Sequence, residues 1–277
     1  MNNFNGLAVV NLELTSRCNK KCEVCGRRRL EKENQELCNF GDMDLELAYH
    51  IIDQLPENII IQFHNNGEPL LYPYLLDILN YTYKQIKCLN TNGKLLVEKA
   101  DDIIEKLDTI TVSVIENDPE GDEQYEIVKK FLEIKKNHKP FLIYRLLGDV
   151  GKIIRNNETR YYKERTDRWY KLPGLVATRI LHNPMGSFDY TKKVTIPEVG
   201  FCQDLYSHLV IDRFGNIFPC VRFDPTKINK LGNIKDMTLE EAWNCEKRQY
   251  LLKEHIKGNR ICSELCSQCQ FWGIPHE

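Results

Sequence analysis

The sequence predicts an α/β fold: a parallel sheet built from repeated strand–helix units, followed by a small C-terminal unit of one hairpin and a helix. Three observations predict it. Short apolar runs alternate about six times with amphipathic stretches of helical spacing, a pattern that calls for a parallel sheet with crossover helices. From about residue 198 the pattern changes to two apolar runs flanking a glycine-bearing turn. Cysteines also gather at the two ends of the chain. Cys18, Cys22 and Cys25 lie near the start, and Cys202, Cys220, Cys262, Cys266 and Cys269 lie in the last quarter.

The elements follow in order. Leu7 to Leu14 has strand character and leads into the first cysteine group. Leu45, Ala48, Ile52 and Leu55 recur at helical spacing, widened by Leu47 and Ile51. Asn58 to His64 reads as a strand, Tyr74 to Gln85 as a helix, and Ile86 to Thr91 as a strand ended by the Asn92-Gly93 turn. Leu95 to Leu107 is expected to be helical, Thr109 to Ile115 a strand and Glu120 to Asn137 a long helix. Phe141 to Leu147 and Leu175 to Leu181 complete the strands. Ser207 to Ile211 and Ile217 to Val221 then flank Asp212-Arg213-Phe214-Gly215-Asn216 as a hairpin. Thr238 and Glu241 form a capping box before a helix carrying Leu239, Trp243, Tyr250 and Leu251. Two domains are expected, 1–197 and 198–277. The second buries so little apolar surface that a metal staple is physically expected.

Composition narrows the function. The chain has 277 residues, of which 42% are hydrophobic, enough for an ordinary core. No apolar run approaches the roughly 18 residues of a membrane span. The first basic residue is Arg17, so no signal-peptide n-region is expected, and a cytoplasmic protein without a membrane partner is. Eleven cysteines then need an explanation other than disulfides, because the cytosol keeps thiols reduced. For Cys38, Cys88 and Cys245 that explanation is burial as small hydrophobes. The net charge of −2 gives no sign of a nucleic-acid partner. Locally, Glu98–Glu126 carries net −9, read as solvated helix faces, and Lys152–His182 carries net +5, which suits an anionic substrate.

The chemistry rests on the cysteines. Spacings of three and then two residues let Cys18, Cys22 and Cys25 point three thiolates at one centre. A cubane iron–sulfur cluster normally takes four, so three leave one iron open. A zinc loop would need a fourth ligand, and the nearest histidine in sequence is His50, on the first predicted helix. Four of the C-terminal cysteines would close a cubane or a zinc site equally well.

The Cys18-Asn-Lys-Lys-Cys22-Glu-Val-Cys25 loop resembles the cluster motif of the radical S-adenosylmethionine (SAM) enzymes, whose open iron chelates SAM. Further segments match. Asn65-Asn66-Gly67-Glu68-Pro69 is similar to that family's Gly-Gly-Glu-Pro segment, with Asn66 in place of the first glycine. Thr91-Asn92-Gly93, Ser113 and Arg145 fall where the family contacts SAM, Arg145 as a bidentate partner for its carboxylate. Val24 stands where an aromatic is usual. Cys202, Gly215, Cys220 and Cys266-Ser-Gln-Cys269, with Leu231-Gly232-Asn233 and Glu241-Ala242-Trp243, resemble the SPASM auxiliary-cluster module in its shortened "twitch" form.

The resemblance implies a partial (β/α)6 radical SAM barrel with a twitch/SPASM-like domain. From the strand pattern alone, an open doubly wound sheet stays possible. It also implies two [4Fe-4S] clusters held by Cys18, Cys22 and Cys25 and by Cys202, Cys220, Cys266 and Cys269, with Cys262 as a spare. SAM is expected on Asn66, Gly67, Glu68, Pro69, Asn92, Ser113 and Arg145. The implied reaction is reductive cleavage of SAM to a 5′-deoxyadenosyl radical and hydrogen abstraction from a small molecule, with flavodoxin or ferredoxin as electron donor. The layout resembles the aminocyclitol (2-deoxy-scyllo-inosamine) dehydrogenase type, with His182-Asn183-Pro184-Met185-Gly186 near the substrate mouth. Maturation of a ribosomal peptide and a non-catalytic metal scaffold or carrier are the other readings. The auxiliary cluster would accept an electron or only brace the domain. No catalytic side chain is identified, although Cys38 is the best placed of the spare thiols to donate hydrogen.

Overall fold

Alternation along each strand, apolar to one face and polar to the other, shapes this chain. A computed structural model describes residues 4–116, 118–148, 166–180, 202–222, 224–267 and 269. Six strands lie side by side in chain order: β1 (Val9–Leu12), β2 (Ile60–Phe63), β3 (Ile86–Thr91), β4 (Thr109–Ile115), β5 (Phe141–Gly148) and β6 (Leu175–Ile180). All their pairings are parallel, with Val10 opposite Ile61, Ser113 opposite Arg145 and Leu147 opposite Arg179. A doubly wound sheet reverses its strand order at a switch point. Here the order never reverses, and the fold is the partial barrel.

Helices α1 (Arg27–Glu33), α2 (Leu45–Asp53), α3 (Leu75–Tyr81), α4 (Ala100–Ile103) and α5 (Gly121–Lys135) join the first five strands. The apolar residues of α2 to α5 cover one face of the sheet. Leu12, Ile61, Phe63, Leu89, Ile110, Val112, Leu142 and Tyr144 are buried there, together with Ile51 of α2 and Phe131 of α5. Truncating such a buried phenylalanine to alanine would cost about 3–5 kcal/mol. Asp44 starts α2 by accepting the Leu47 N–H at 3.1 Å. The opposite face carries Asn11, Glu13, Gln62, His64, Asn90, Thr111, Ser113 and Arg145. A parallel sheet packed on both sides would be apolar on both. The polar row marks a face that lines a site.

The C-terminal elements are α6 (Gln203–Ser207), β7 (His208–Ile211), β8 (Asn216–Phe218), β9 (Gly232–Asn233), α7 (Leu239–Asn244), α8 (Glu246–Ile256) and α9 (Glu264–Ser267). The hairpin expected as a separate unit extends the barrel sheet instead. β7 pairs in parallel with β1, Leu12 opposite Ile211, and β8 and β9 add antiparallel strands beyond it. The reason is physical: β1 would otherwise leave an edge of unpaired N–H and C=O groups, and Leu209, Ile211 and Ile217 join the barrel's own core. The 197/198 boundary lies outside the described residues.

Other differences are local. The helix expected over 74–85 stops at Tyr81, where the Thr82 hydroxyl bonds the Ile78 carbonyl. Of 95–107 only Ala100–Ile103 is α-helical, ending at an extended Ile104. The helix after the Thr238–Glu241 capping box is broken in two at Cys245, which is extended at ψ 153°. Helix α1, directly behind the cysteine loop, carries no apolar stripe that would reveal it.

Candidate active site

The first cysteine group leaves the C-terminal end of β1 on a loop fixed at several points. The Thr15 hydroxyl accepts the Arg17 N–H at 3.1 Å, and the Arg17 guanidinium holds Asp42 and the Leu71 carbonyl. Cys25 N–H donates to the Cys22 carbonyl at 3.1 Å, and Arg28 N–H to that of Cys25, which leads into α1. Lys20 reaches across to Asp118 and Glu120 after β4. Burial opposes its charge, yet these two carboxylates keep its pKa above the ordinary value. Burial pushes the Cys18 thiol up, and Cys22 to about 11, with the neighbouring thiols adding to both shifts. Such thiols stay protonated until a metal supplies compensating positive charge.

The loop after β2 lies directly on this one. Glu68 N–H donates to the Arg17 carbonyl at 2.8 Å. A Cβ at Gly67 would collide with the Thr15 carbonyl and come within 2.8 Å of the Arg17 oxygen, so only glycine allows this approach. Glu68 is 2% exposed. Its Oε1 accepts from Leu70 N–H and the Thr91 hydroxyl, and its Oε2 from Asn92 N–H at 2.7 Å. Burial raises its pKa to about 7 against those hydrogen bonds. Two lone pairs per oxygen leave Oε2 with one further place for a donor. Asn92 also turns its amide to Asn19 at 2.8 Å and towards the Cys18 sulfur at 3.9 Å.

These loops surround a cavity of about 300 Å³ lined by Cys18, Cys22, Val24 and Cys25, by His64, Asn66, Gly67 and Glu68, and by Asn92, Ser113, Ile115 and Leu147. Pro69 is not on its wall; it is buried and opens a short 3-10 turn. Arg145 sits beside Ser113 in register, and burial lowers its pKa. Desolvation brings His64 down to about 3, with Arg145 and Arg179 contributing, so it is neutral.

The second thiol group flanks β7 and β8. Cys202 precedes α6, Cys220 follows β8, and Cys266 lies in α9 with Cys269 just beyond. They are close enough for their charges to bear on one another: Cys202 on Cys266 and Cys269, Cys220 on Cys202 and Cys266. Burial is the main cause that lifts Cys202 to about 12, Cys266 to about 11 and Cys220 well above the ordinary thiol value. Asn229 donates to the Cys266 sulfur at 3.6 Å, and Ser263 fixes Asn229 at 2.7 Å. The Cys262 charge acts on Cys266, while Cys262 itself is pushed up by burial and by Glu254. Cys38 is not on the wall of the larger cavity; its thiol faces the Asn34 carbonyl at 3.8 Å. His182 to Gly186 lie outside the described residues.

Three contributors went unnoticed in the sequence: Glu13, Arg27 and His64. Glu13 is the readable one, a charge at an inward position of an apolar strand.

The residues fit the groups that the cysteine spacings imply. Three thiols line a cavity with room for a ligand, and four others lie near enough for their charges to act on one another, although among the described residues no three such groups are already gathered as a metal site. Residues 202–270 match the SPASM family, an iron–sulfur cluster-binding domain, which decides between iron–sulfur and zinc at the second group. The chain thus ends in a SPASM-type domain, and the proteins it is similar to include S-adenosyl-L-methionine-dependent enzymes. Over 98% of its length it is 25% identical to the S-adenosyl-L-methionine-dependent 2-deoxy-scyllo-inosamine dehydrogenase of Niallia circulans, covering 95% of that protein. Over 109 residues it is 35% identical to the tungsten-containing aldehyde ferredoxin oxidoreductase cofactor-modifying protein of Pyrococcus furiosus, of which the match spans 28%. Its fold is that of BtrN in complex with AdoMet and 2-DOIA, at a TM-score of 0.59 and 20% identity, covering 95% of this chain and 92% of that one.

Proposed function

We propose that this enzyme oxidises a carbohydrate- or aminocyclitol-like small molecule by radical SAM chemistry. The observation that carries the reading is the single cavity walled by the three-cysteine loop on one side and by Asn66–Glu68, Asn92 and Ser113 on the others. The near full-length likeness to an aminocyclitol dehydrogenase supports the substrate class. Cys18, Cys22 and Cys25 hold one four-iron cluster, and Cys202, Cys220, Cys266 and Cys269 the other; three thiolates leave one iron for a non-protein ligand and four leave none. When bound, the open cluster and SAM supply a 5′-deoxyadenosyl radical that takes a hydrogen atom from an unactivated C–H bond.

The chain's part is position and electrostatics. Glu68 turns its free acceptor place towards the SAM ammonium, and Arg145 pairs with the carboxylate. Asn92 and Ser113 furnish polar contacts on the rim, and Gly67 lets the backbone lie against the cysteine loop. Pro69 fixes the turn from behind. Neutral His64 adds no charge beside a sulfonium. Oxidation leaves one electron to remove after hydrogen abstraction, and the four-thiol site would hold a group suited to receive it. A flavodoxin- or ferredoxin-type protein is the proposed electron donor, and the cytoplasm the proposed compartment. Among the described residues no helix is long and apolar enough to cross a membrane.

The test is anaerobic turnover with C-deuterated aminocyclitols and sugars. Deuterium in 5′-deoxyadenosine and a product three mass units lighter than the labelled substrate, one deuterium and one hydrogen having been removed, are expected. A product one mass unit lighter, its deuterium replaced by hydrogen from solvent, would overturn oxidation in favour of epimerisation.

A further inference from the structure

Glu13 stands one residue beyond β1, and its N–H continues the pairing to the Ile211 carbonyl at 2.9 Å. Its carboxylate is buried and faces two different parts of the chain. From the loop after β2, Oε2 accepts Asn65 Nδ2 at 2.7 Å, Asn66 Nδ2 at 2.8 Å and Asn66 N–H at 3.3 Å. From the turn after β7 it accepts the backbone N–H of Arg213. Asn66 is the residue that replaces a glycine of the related motif, and its amide is folded back onto Glu13 rather than into the cavity.

The charged surroundings are few. Asp212 is the nearest charge, itself engaged with Phe214 N–H, Asn216 N–H and Asn216 Nδ2. The Arg213 guanidinium points away, to Ser16 and Asn39. Arg27 reaches the Asn66 carbonyl at 3.2 Å, and Arg222, Asp224 and Lys227 line the small cavity beside Glu13. Each of the four groups bonded to the carboxylate is an N–H donor. The ionised carboxylate holds these four donors most strongly; protonation weakens its acceptors and places an O–H among groups that are all donors.

We propose that Glu13 is a positioning residue, whose ionised carboxylate ties the Asn65–Asn66 arm of the SAM site to the Arg213 turn of the C-terminal unit. SAM affinity then depends on Glu13 ionisation. The proposal rests on the reading that Asn66–Glu68 hold SAM. Burial, with Asp212 beside it, lifts the Glu13 pKa to about 7, which puts the switch at neutral pH. A group titrating there goes from about 9% to about 91% ionised between pH 6 and pH 8, and apparent affinity scales with the competent fraction.

The test is SAM binding by equilibrium dialysis on reconstituted holoprotein at pH 6, 7 and 8, with iron content measured in parallel. The advantage of wild type over Glu13→Gln is expected to grow about tenfold from pH 6 to pH 8. The amino group of SAM titrates alike with both proteins, so the ratio isolates Glu13. Asp212→Asn removes a repelling charge and should move the midpoint of the wild-type profile below pH 7. A constant wild-type to Glu13→Gln ratio would overturn the proposal. Should Glu13→Gln fail to fold, an unmoved midpoint in Asp212→Asn would overturn it instead. Absence of SAM binding by wild type at every pH would overturn the site itself, a distinct result.

Discussion

Gly67→Ala probes the contact on which the site depends. The added methyl would meet two backbone carbonyl oxygens, those of Thr15 and Arg17, and neither can turn aside as the end of a side chain could. The cysteine loop and the Glu68 loop must therefore separate. Overpacking of this kind costs about 1–3 kcal/mol. For a chain of this size each kcal/mol moves the melting temperature by about 2–4 °C, so a loss of roughly 2–12 °C is expected. The Glu68 N–H bond to Arg17, at 2.8 Å, stretches with the same displacement, and SAM affinity should fall at least tenfold, about 1.4 kcal/mol. Calorimetry and equilibrium dialysis on holoprotein measure the two effects. Gly258→Ala is the control: Gly258 has φ +77° and open space around it, so strain of about 1–2 kcal/mol should lower the melting temperature without touching SAM binding. A Gly67→Ala protein with unchanged melting temperature and unchanged SAM affinity would refute the reasoning.

Arg145→Ala should weaken SAM binding while iron content stays at the wild-type level; unchanged affinity would assign Arg145 to the substrate or to the fold. Cys38→Ala should keep turnover, because Cys38 is off the cavity wall and oxidation needs no hydrogen donor; loss of product with continued SAM cleavage would contradict this. The stability that Glu13 and Glu68 contribute should fall as pH rises from about 4.5 to about 7, while His64, lowered to about 3, acts in the opposite sense below about pH 6.5. Glu13 and Glu68 both carry folded pKa values raised from 4.5 to about 7, so at these two groups the folded state holds more protons than the unfolded one across that window. Urea midpoints of wild type are therefore compared with those of Glu13→Gln/Glu68→Gln, in which the histidine contribution cancels: the wild-type advantage should shrink from pH 5 to pH 7.5, and an advantage that does not shrink would contradict both shifts.

Much of the fold was legible because strands of Val, Ile and Leu alternate with stripes at helical spacing. Ile86–Thr91 and Thr109–Ile115 are strands at the expected bounds. The thiols were legible because cysteine spacing reports loop geometry directly. What escaped depends on tertiary contacts. The pairing of β7 with β1 follows from β1 needing a neighbour, and nothing local in His208–Ile211 announces it. Helix α1 is held by Arg27 against Phe40 and the Asn66 carbonyl, partners distant in sequence. Glu68 was readable as a site residue, but its bracing of Thr91 and Asn92 was not, since it arises only when two strand ends meet. The replacement of glycine by Asn66 showed as a departure, and its compensation by Glu13 emerged only in three dimensions.

The central claim is that the three-cysteine loop is where SAM is cleaved. Reconstituted wild type should hold about eight iron atoms per chain, as two four-iron cubanes require, and under strong reductant should release 5′-deoxyadenosine and methionine in equal amounts. The Cys18→Ala/Cys22→Ala/Cys25→Ala protein should keep about half the iron, at the C-terminal thiols, and release neither. Continued 5′-deoxyadenosine formation by that triple variant would contradict the account.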